Sequence, residues 1–395
     1  MGIDYFNESR KTLSLVILSL HWGFSFGGVA KFAANMAYVS QYGPVKIDNL
    51  CVLGEKWDSD LHTLAKLEAE QIQIRSRFDF SWIWKTRKEI ERIKLDLIMT
   101  HGFNAHFVYL LTQTIYKHNI PVICSYHGLH NERRFWGPVF NKFTEYFIRK
   151  HALAAATVES HSKRYLISKG VHEGKLTVVH NGIKSNFTAS EDGGRKLRRD
   201  WQINNKELVI GVISRIGPGK GISDLVDAVN RLVENHSEIK LLVVGSGKSL
   251  PDIKKQVLDL KLTNNVIFTG YRSDVNNCLA AFDIFVFPTL AEAHSIALLE
   301  AMRAAKPIIA TDVGGNSESV RHEKEALLVP PADSAALAGA IEKLIRDEAL
   351  RNRLATQVYQ RFIENFTIEK TSEKTAQWMI NCGYMAKNHG CFQCT

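Results

Sequence analysis

Two carboxylates eight positions apart give this sequence its most specific chemical signal. Glu292 follows an apolar run typical of a buried strand, and Glu300 lies inside a run with helical spacing that begins near Ser295. The backbone amides at the start of such a helix, at His294, Ser295 and Ile296, can bind the oxygens of a diphosphate. Glu300 could then bind ribose hydroxyls, and Glu292 could reach a sugar beyond the phosphates. The alternative is a capping role for Glu292 and a solvent-exposed Glu300.

A glycine-rich loop with two cations supplies the second signal. Residues 213–221 read Ile-Ser-Arg-Ile-Gly-Pro-Gly-Lys-Gly, between a strand-type run and a helical one. The glycines allow a close backbone approach, and Arg215 and Lys220 could neutralise a diphosphate leaving group. The pattern is neither a P-loop nor G-x-G-x-x-G, so it predicts neither ATP nor dinucleotide binding. A surface turn with two solvated cations is the alternative.

The first half of the chain offers two shorter signals. Gly27 and Gly28 follow the first strand-type run, and their amides could face an anion or a sugar. His127, followed by Gly128, ends another such run, where an imidazole could bond a sugar hydroxyl or assist proton transfer. A tight turn and a structural histidine are the alternatives. No Asp-x-Asp triplet or clustered ligand set lies near these motifs, so we expect no obligatory metal and no cofactor.

Short apolar runs alternate with helical segments along the whole chain, and this pattern is typical of βαβ units with parallel, doubly covered sheets. The fold class predicted is α/β, with two Rossmann-like domains facing each other across a cleft. The predicted strands are residues 13–19, 47–53, 95–101, 122–126, 176–179, 208–213, 240–244, 266–269, 284–288, 307–311 and 326–329. The predicted divisions are a first domain 1–185, a polar linker 186–206, a second domain 207–380 and a cysteine-containing tail 381–395.

Charge separates the two halves. The chain carries a net charge of +9, and residues 1–185 hold 24 Lys and Arg against 16 Asp and Glu. Basic stretches with interleaved aromatics, at 75–94 and 130–150, could lie on an anionic membrane surface, or they could be ordinary core helices. The apolar run 13–20 is too short for a membrane helix, and it lacks the small-residue cleavage site of a signal peptide. We therefore expect a cytoplasmic protein, peripheral to the membrane at most. Nucleic-acid binding, the other use of basic charge, has no recognisable motif here.

The six cysteines leave one question open. Three of the six, Cys382, Cys391 and Cys394, stand near His389 at the end of the chain. This spacing is half of a zinc motif, and a frayed terminus is the alternative.

In their order along the chain these motifs resemble the retaining glycosyltransferases of the GT-B fold, specifically the family 4 (group 1) enzymes. The resemblance extends over nearly the whole sequence. The matching positions are Gly27-Gly28, His127-Gly128, Asn181-Gly182, Arg215 with Lys220-Gly221, Glu292 with Glu300, Thr311-Asp-Val-Gly314-Gly315 and Leu328-Val-Pro330.

The resemblance implies roles for these residues. Arg215 and Lys220 would hold the diphosphate, Glu300 the ribose, and Glu292 the transferred sugar, with His127 near sugar and acceptor. The donor would be a UDP- or GDP-linked sugar, and the acceptor a glycan or lipid-linked molecule in cell-surface polysaccharide or lipopolysaccharide synthesis. The second domain would bind the donor and the first the acceptor. A sugar phosphorylase, a nucleotide-sugar 2-epimerase or a nonenzymatic sensor on the same fold are alternatives.

One stretch departs from the family pattern. Many relatives read Glu-Gly-Phe-Gly where this chain reads Glu292-Ala293-His294-Ser295. An imidazole replaces a phenyl ring, and a Cβ atom replaces a glycine hydrogen. The donor-sugar specificity of typical relatives therefore cannot be assigned to this chain.

Overall fold

A computed structural model describes residues 15–22, 35–36, 38–54, 70–74, 79–128, 137–188 and 192–388. These residues divide into two compact units. The first contains the described residues up to Val158, together with Ser162–Val179 and those from Thr371 onward, and the second contains Glu159–His161 and His180–Lys370. Each unit is built around its own parallel sheet.

In the described part of the first unit, seven strands form one sheet in the order β3-β2-β1-β4-β5-β6-β7. All of their pairings are parallel. The strands are β1 (Leu15–Trp22), β2 (Val45–Gly54), β3 (Glu70–Ile74), β4 (Leu97–His101), β5 (Val122–Tyr126), β6 (Ala152–Thr157) and β7 (Leu176–Val178). The helices are α1 (Ser81–Arg92), α2 (Gly102–Tyr116), α3 (Gly137–Lys150) and α4 (Ser160–Ser168), the last of which begins in the second unit.

The second unit repeats this arrangement. Among its described residues, six parallel strands have the order β10-β9-β8-β11-β12-β13. They are β8 (Leu208–Ile213), β9 (Ile239–Val244), β10 (Val266–Gly270), β11 (Ile284–Phe287), β12 (Ile308–Thr311) and β13 (Leu327–Val329). The helices are α5 (Gly193–Asp200), α6 (Ile222–Leu232), α7 (Leu250–Asp259), α8 (Val275–Ala281), α9 (Ile296–Arg303), α10 (Asn316–Ser319), α11 (Ser334–Arg346), α12 (Glu348–Asn365) and α13 (Ile368–Asn388), whose later part belongs to the first unit.

Continuous apolar strands arise because both faces of each sheet are covered. Successive side chains of a strand point to opposite faces. On β8, Ile210 and Val212 pack in one core cluster with helix α6, whereas Val209 packs in another with helix α9. The α/β class with two Rossmann-like sheets is therefore confirmed. Two strands escaped prediction: β3 is short and polar, and β6 is mostly alanine, which favours helices when judged locally.

The predicted linker, residues 186–206, is corrected by the structure. It contains helix α5, whose Leu197 is buried, as is Ile203 just beyond it. A Cβ on Gly194 would lie 2.7 Å from the backbone carbon of Ala280, so this helix packs tightly within the second unit. The division between units falls after Val179 rather than near residue 185. Charged residues on the outer face of α5 made an amphipathic helix resemble a linker.

The predicted tail is also corrected in part. Helix α13 continues to Asn388, and Ala376, Met379 and Cys382 pack against strand residues of the first unit. Cys382 is fully buried, and burial raises the pKa of its thiol to about 12. Cys382 therefore packs as a small apolar side chain of the core. Cys391, Cys394 and His389 lie outside the described residues.

Candidate functional site

The strand order of the second sheet reverses between β8 and β11. Open α/β sheets bind ligands beyond the carboxyl ends of their strands at such a point. The loop after β8 carries Arg215 and Lys220, and the loop after β11 carries Glu292. We call these two loops, residues 214–221 and 288–295, the second-sheet edge. Both motifs singled out in the sequence leave the sheet at this edge.

The two loops of the second-sheet edge are joined through their backbones. The amide of Leu290 donates to the carbonyl of Gly219 at 2.8 Å, and the Thr289 hydroxyl donates to the same oxygen at 3.2 Å. Gly221 has a φ of 64°, and a Cβ there would lie 1.8 Å from the carbonyl oxygen of Pro288. Only glycine allows this approach, since it has no Cβ and tolerates positive φ.

This contact brings Lys220 and Glu292 together across 72 positions of sequence. The Lys220 Nζ donates to the Glu292 Oε2 at 2.7 Å, and about a fifth of each side chain is exposed. Arg215 stands exposed on the same loop as Lys220. The edge therefore presents an ordered ammonium–carboxylate pair, with a guanidinium on the loop that carries the ammonium. Such cations can bind phosphate oxygens, and a carboxylate can accept hydrogen bonds from hydroxyls.

A third loop, which follows β12, packs against the backbone of Glu292. A Cβ on Gly314 would lie 1.9 Å from the carbonyl oxygen of Glu292, and one on Gly315 would lie 1.8 Å from that of Ala293. The Gly314 φ of 48° adds a second reason for glycine. The Gly-Gly pair after β12, noted in the sequence only as part of the resemblance, thus positions a candidate site residue.

His294 belongs to the interior and not to the surface of the site. Its ring is only 4% exposed and lies 4.9 Å from the ring of His180 and 5.4 Å from that of Phe366. Its carbonyl accepts from the Asn181 amide at 2.8 Å, and its Nε2 lies 3.3 Å from the Ser319 hydroxyl. Burial, helped by the nearby His180, lowers the pKa of His294 to about 3. The imidazole is therefore a neutral core ring.

The residues that follow His294 differ in accessibility: one caps the helix, and others remain partly exposed. Ser295 is the N-cap of α9, because its hydroxyl accepts from the amide of Leu298 at 3.3 Å. Ile296 and Glu300 are half-buried. The predicted donor-binding set 294–296 can therefore act mainly through backbone amides, while Glu300 remains partly accessible. The burial of Arg303 on the same helix lowers its guanidinium pKa, and the Glu300 carboxylate opposes that effect.

The first sheet has a different arrangement at the carboxyl ends of β1, β4 and β5. The His127 Nε2 lies 2.9 Å from the Ser125 hydroxyl, which lies 2.6 Å from the His101 Nδ1. The His101 Nε2 in turn lies 3.0 Å from the Ser19 hydroxyl. We call these four residues the first-sheet edge. His127 is half-buried, and the other three are buried.

Sequence reasoning found His127 but not the residues behind it. Ser19 and His101 are polar positions within or at the end of strongly apolar strands, and that contrast was the available signal. Gly27 and Gly28, predicted to bind the donor, lie outside the described residues.

Within the described ranges, no group of three or more His, Cys, Asp or Glu side chains is arranged to hold a metal ion. Among the helices of those ranges, none is both long and apolar enough to cross a membrane.

Comparison with known proteins follows the same two halves. The family described as glycosyl transferases group 1 matches residues 194–361, and the one described as glycosyltransferase family 4 matches residues 66–187. Between them these matches cover most of the chain.

Individual relatives show the same likeness. The capsular polysaccharide biosynthesis glycosyltransferase CapM of Staphylococcus aureus is 30% identical over 58% of this chain and 62% of its own length. The UDP-Gal:α-D-GlcNAc-diphosphoundecaprenol α-1,3-galactosyltransferase of Escherichia coli is 24% identical over 74% of this chain and 77% of its own. Anabaena HepE, solved with UDP-glucose, superposes with a TM-score of 0.79 at 22% identity, over 93% of this chain and 99% of its own.

Proposed function

We propose, from the premise that this chain belongs to the group 1 glycosyltransferases of the GT-B fold, that it transfers a sugar from a nucleoside-diphosphate donor to a hydroxyl of a glycan or lipid-linked acceptor. The transfer keeps the anomeric configuration of the donor and needs no obligatory metal. The observation that carries the proposal is the Lys220–Glu292 pair on two loops joined by direct backbone contact.

The charges of the second-sheet edge suit a diphosphate leaving group. Lys220 and Arg215 provide donors for phosphate oxygens, and the half-buried position of Lys220 reduces screening by water. Lys220 has three N–H donors, so it can keep its bond to Glu292 while it binds a phosphate oxygen. Because charge on the leaving oxygens grows as the sugar departs, these cations stabilise the transition state more than the ground state.

Retention of the anomeric configuration determines the side from which the acceptor must approach. The acceptor hydroxyl attacks from the face that the diphosphate leaves, as the bond from C1 to the phosphate oxygen breaks and a bond from C1 to the acceptor oxygen forms. The acceptor proton passes to an oxygen of the departing phosphate, so no protein base is needed on the opposite face. Glu292 and His127 then position hydroxyl groups by hydrogen bonding.

Two relatives support the classes of donor and acceptor. HepE was solved with UDP-glucose, and the name of the Escherichia coli relative gives UDP-Gal as donor and a diphosphoundecaprenol-linked sugar as acceptor. CapM and that enzyme favour cell-surface polysaccharide synthesis for this chain as well. UDP-sugars are therefore the first donors to test, with GDP-sugars second.

A surface on helices α1 and α2 favours peripheral binding to an anionic membrane. Trp84 and Ile115 are 67% and 49% exposed. The guanidinium of Arg87 lies 5.5 Å from the Trp84 ring centroid and 4.5 Å from that of Tyr116. Lys88, one turn after Trp84, is exposed. Aromatics and cations on one face match the requirements of a lipid interface. We call this face the aromatic–basic surface.

Turnover with defined donors tests the proposal. The full chain is incubated with UDP- and GDP-sugars and a polyprenyl-diphosphate sugar, with and without excess chelator, and the new anomeric proton is read by NMR. We expect a product of unchanged anomeric configuration in both conditions. An inverted product, loss of turnover in chelator that magnesium restores, or release of an epimer or a free sugar phosphate would contradict the proposal.

A matched pair of variants tests the role of Glu292. Glu292→Gln is expected to lower kcat more than it weakens donor binding, by roughly 100-fold if the carboxylate orients the sugar in the transition state. Glu323 also pairs with a lysine, Lys343 at 2.8 Å, but it precedes β13 at the amino end of the strand. Glu323→Gln is therefore the control and should leave kcat unchanged.

A further inference from the structure

A closed set of hydrogen bonds lies behind the loop that carries Glu292. The backbone carbonyl of Glu292 accepts from the Gly315 amide at 3.4 Å. The Gly315 carbonyl accepts from the Ser319 hydroxyl at 2.8 Å, and that hydroxyl oxygen lies 3.3 Å from the Nε2 of His294. Because His294 is two residues after Glu292, the path returns to the loop from which it started. We call these four residues, all of them in the second unit, the loop clamp.

The direction of the hydrogen bonds in the loop clamp is determined by chemistry and distance. A carbonyl oxygen can only accept, and the Ser319 hydroxyl has a single hydrogen. The distance of 2.8 Å between that hydroxyl and the Gly315 carbonyl is the ordinary length of an O–H···O bond, so the hydrogen lies between these two oxygens. The Ser319 oxygen is therefore the acceptor toward His294, and the neutral imidazole carries its proton on Nε2.

The other ring nitrogen indicates that the imidazole of His294 does more than fill space. Its Nδ1 is buried, and among the residues that the structure describes it has no hydrogen-bond partner. With the proton on Nε2, this Nδ1 is an acceptor withheld from water, and leaving such a group unpaired is unfavourable. A phenyl ring would occupy nearly the same space beside His180 and Phe366 without that loss. What the imidazole adds at this position is the Nε2 donor.

The stretch from Glu292 to His294 is held at both of its ends. At the first end, the Glu292 carbonyl is bonded to the Gly315 amide. At the second end, the ring of His294 is bonded to the Ser319 hydroxyl, and the carbonyl of the same residue accepts from the Asn181 amide at 2.8 Å. A shift of this stretch would move the Glu292 side chain and would also lengthen these bonds.

We propose that His294 and Ser319 are positioning residues that hold the Glu292 carboxylate in the orientation needed for sugar transfer. The inference rests on the proposed function, in which Glu292 orients the transferred sugar while it is paired with Lys220. Both His294 and Ser319 are buried, so they act through the loop rather than by touching the donor. The phosphate contacts of Lys220 and Arg215 do not depend on this bond. Loss of the bond should therefore impair turnover and leave nucleotide binding nearly unchanged.

The variant His294→Phe keeps a ring of similar size and removes the Nε2 donor. Its kcat should fall roughly fivefold, the change that corresponds to one hydrogen bond of ordinary net strength, with little change in the Kd for UDP. The midpoint of denaturation at pH 8 should not fall, because the unpaired Nδ1 is removed as well. A lower midpoint with wild-type kcat would make the ring merely structural, and a loss of UDP affinity as large as the loss of kcat would also overturn the proposal.

Ser319→Ala removes the same hydrogen bond from its other end and leaves the imidazole in place. It should lower kcat to a similar extent, and the double variant with His294→Phe should be no slower than either single variant, because the shared bond is lost only once. Multiplicative losses would refute a shared action. Ser317→Ala is the control: its exposed hydroxyl lies on the same helix, 3.4 Å from the Gly314 carbonyl, and its removal should leave kcat unchanged.

Nitrogen-15 NMR of the free protein tests the direction of the bonds without any substrate. At pH 8, above the ordinary histidine pKa of about 6.5, we expect the His294 proton on Nε2 in the wild type. In Ser319→Ala the hydroxyl that accepts from Nε2 is gone, so the ring should lose its single tautomer. A proton on Nδ1 in the wild type, or an unchanged ring in Ser319→Ala, would overturn the proposal.

Amide hydrogen exchange tests whether the ring bond holds the loop. The Gly315 amide should exchange faster in His294→Phe than in the wild type, because its bond to the Glu292 carbonyl is then less well held. The Asp312 amide, which donates to the Val329 carbonyl at 2.9 Å, is the internal control and should be unchanged. Equal Gly315 exchange in the two proteins would contradict the proposal. Failure of the proposed function would look different, because the wild type would then form no glycoside while the tautomer and exchange results still decided the loop clamp.

Discussion

The two sheets share the same strand order over six strands, and β7 extends the first sheet, but their chemistry differs at the carboxyl ends of the strands. Both follow the same pattern around a central pair, β1 with β4 in the first unit and β8 with β11 in the second. The second-sheet edge holds an ion pair, Lys220–Glu292, on loops that touch backbone to backbone. The first-sheet edge holds hydroxyls and imidazoles in a line of hydrogen bonds.

This difference shows how one topology supports two tasks. A diphosphate needs fixed positive charge and exposed amides, which the second-sheet edge can offer. The hydroxyls and imidazoles of the first-sheet edge can instead exchange hydrogen bonds with hydroxyl groups. In both edges, contacts behind the outermost side chains hold them in place: the close approach of Gly221 to Pro288 in the second-sheet edge, and the Ser125 hydroxyl in the first-sheet edge.

A single added carbon atom should disrupt the close contact between the two loops of the second-sheet edge. Gly221→Ala would place a Cβ 1.8 Å from the Pro288 carbonyl oxygen, whereas Gly219→Ala, also at positive φ, has nothing within 4 Å. We expect Gly221→Ala to lower the free energy of unfolding by roughly 2–5 kcal/mol, from overpacking and strain together. Gly219→Ala should cost only the strain, about 1–2 kcal/mol. Equal losses in denaturant titrations of the two variants would show that the loops need not touch.

The charge of the second-sheet edge can be removed next. Lys220→Ala and Arg215→Ala should each weaken donor-nucleotide binding by about 1.5–3 kcal/mol, or roughly ten- to 150-fold. Lys343→Ala is the control, because it breaks a lysine–glutamate pair of similar length on the exposed surface. Calorimetric titration with UDP measures both. Unchanged affinity in Lys220→Ala and Arg215→Ala would remove the donor from this edge.

Acid should destabilise the second unit through its buried His294. The folded pKa of His294, about 3, lies below the ordinary value of 6.5, so the unfolded chain takes up a proton that the folded one refuses. Stability is therefore complete above pH 6.5 and falls as the pH drops towards 3, by about 1.4 kcal/mol per unit from this group. His294→Phe should flatten that dependence in denaturant titrations from pH 7 to 5. The exposed His161→Gln is the control, and an equally steep His294→Phe curve would contradict the assignment.

The smallest expected effect concerns the aromatic–basic surface of the first unit. Lys88→Ala should weaken binding to anionic vesicles by about 1 kcal/mol, close to fivefold. Added salt should weaken the binding of the wild-type protein to the same vesicles. Trp84→Ala should weaken binding at all salt concentrations, because it removes apolar contact. Lys255→Ala, an exposed lysine in the second unit, should have no effect. Equal sedimentation with neutral and anionic vesicles would argue against a membrane surface here.

Local pattern explains why much of this molecule was predictable. The strand at residues 208–213 and the one at 122–126 were predicted with their observed bounds. An apolar, β-branched run between two helical segments can be recognised from the adjacent residues alone. The spacing of Glu292 and Glu300 and the glycine-rich loop with Lys220 were likewise visible, since each motif is contiguous. The main error came where a local pattern had two meanings, as in the charged helix α5, which was taken for a linker.

Which of these residues meet depends on how the strands pair. Lys220 reaches Glu292 across 72 positions, and Ser19 reaches His101 across 82, because parallel strands bring distant segments into register at one end of a sheet. Periodicity identifies a strand but not its neighbour or its register. Composition shows that a histidine is present but not whether its ring is buried. The fold class and the candidate groups could therefore be inferred from the sequence, whereas the pairing of strands determined which groups became partners.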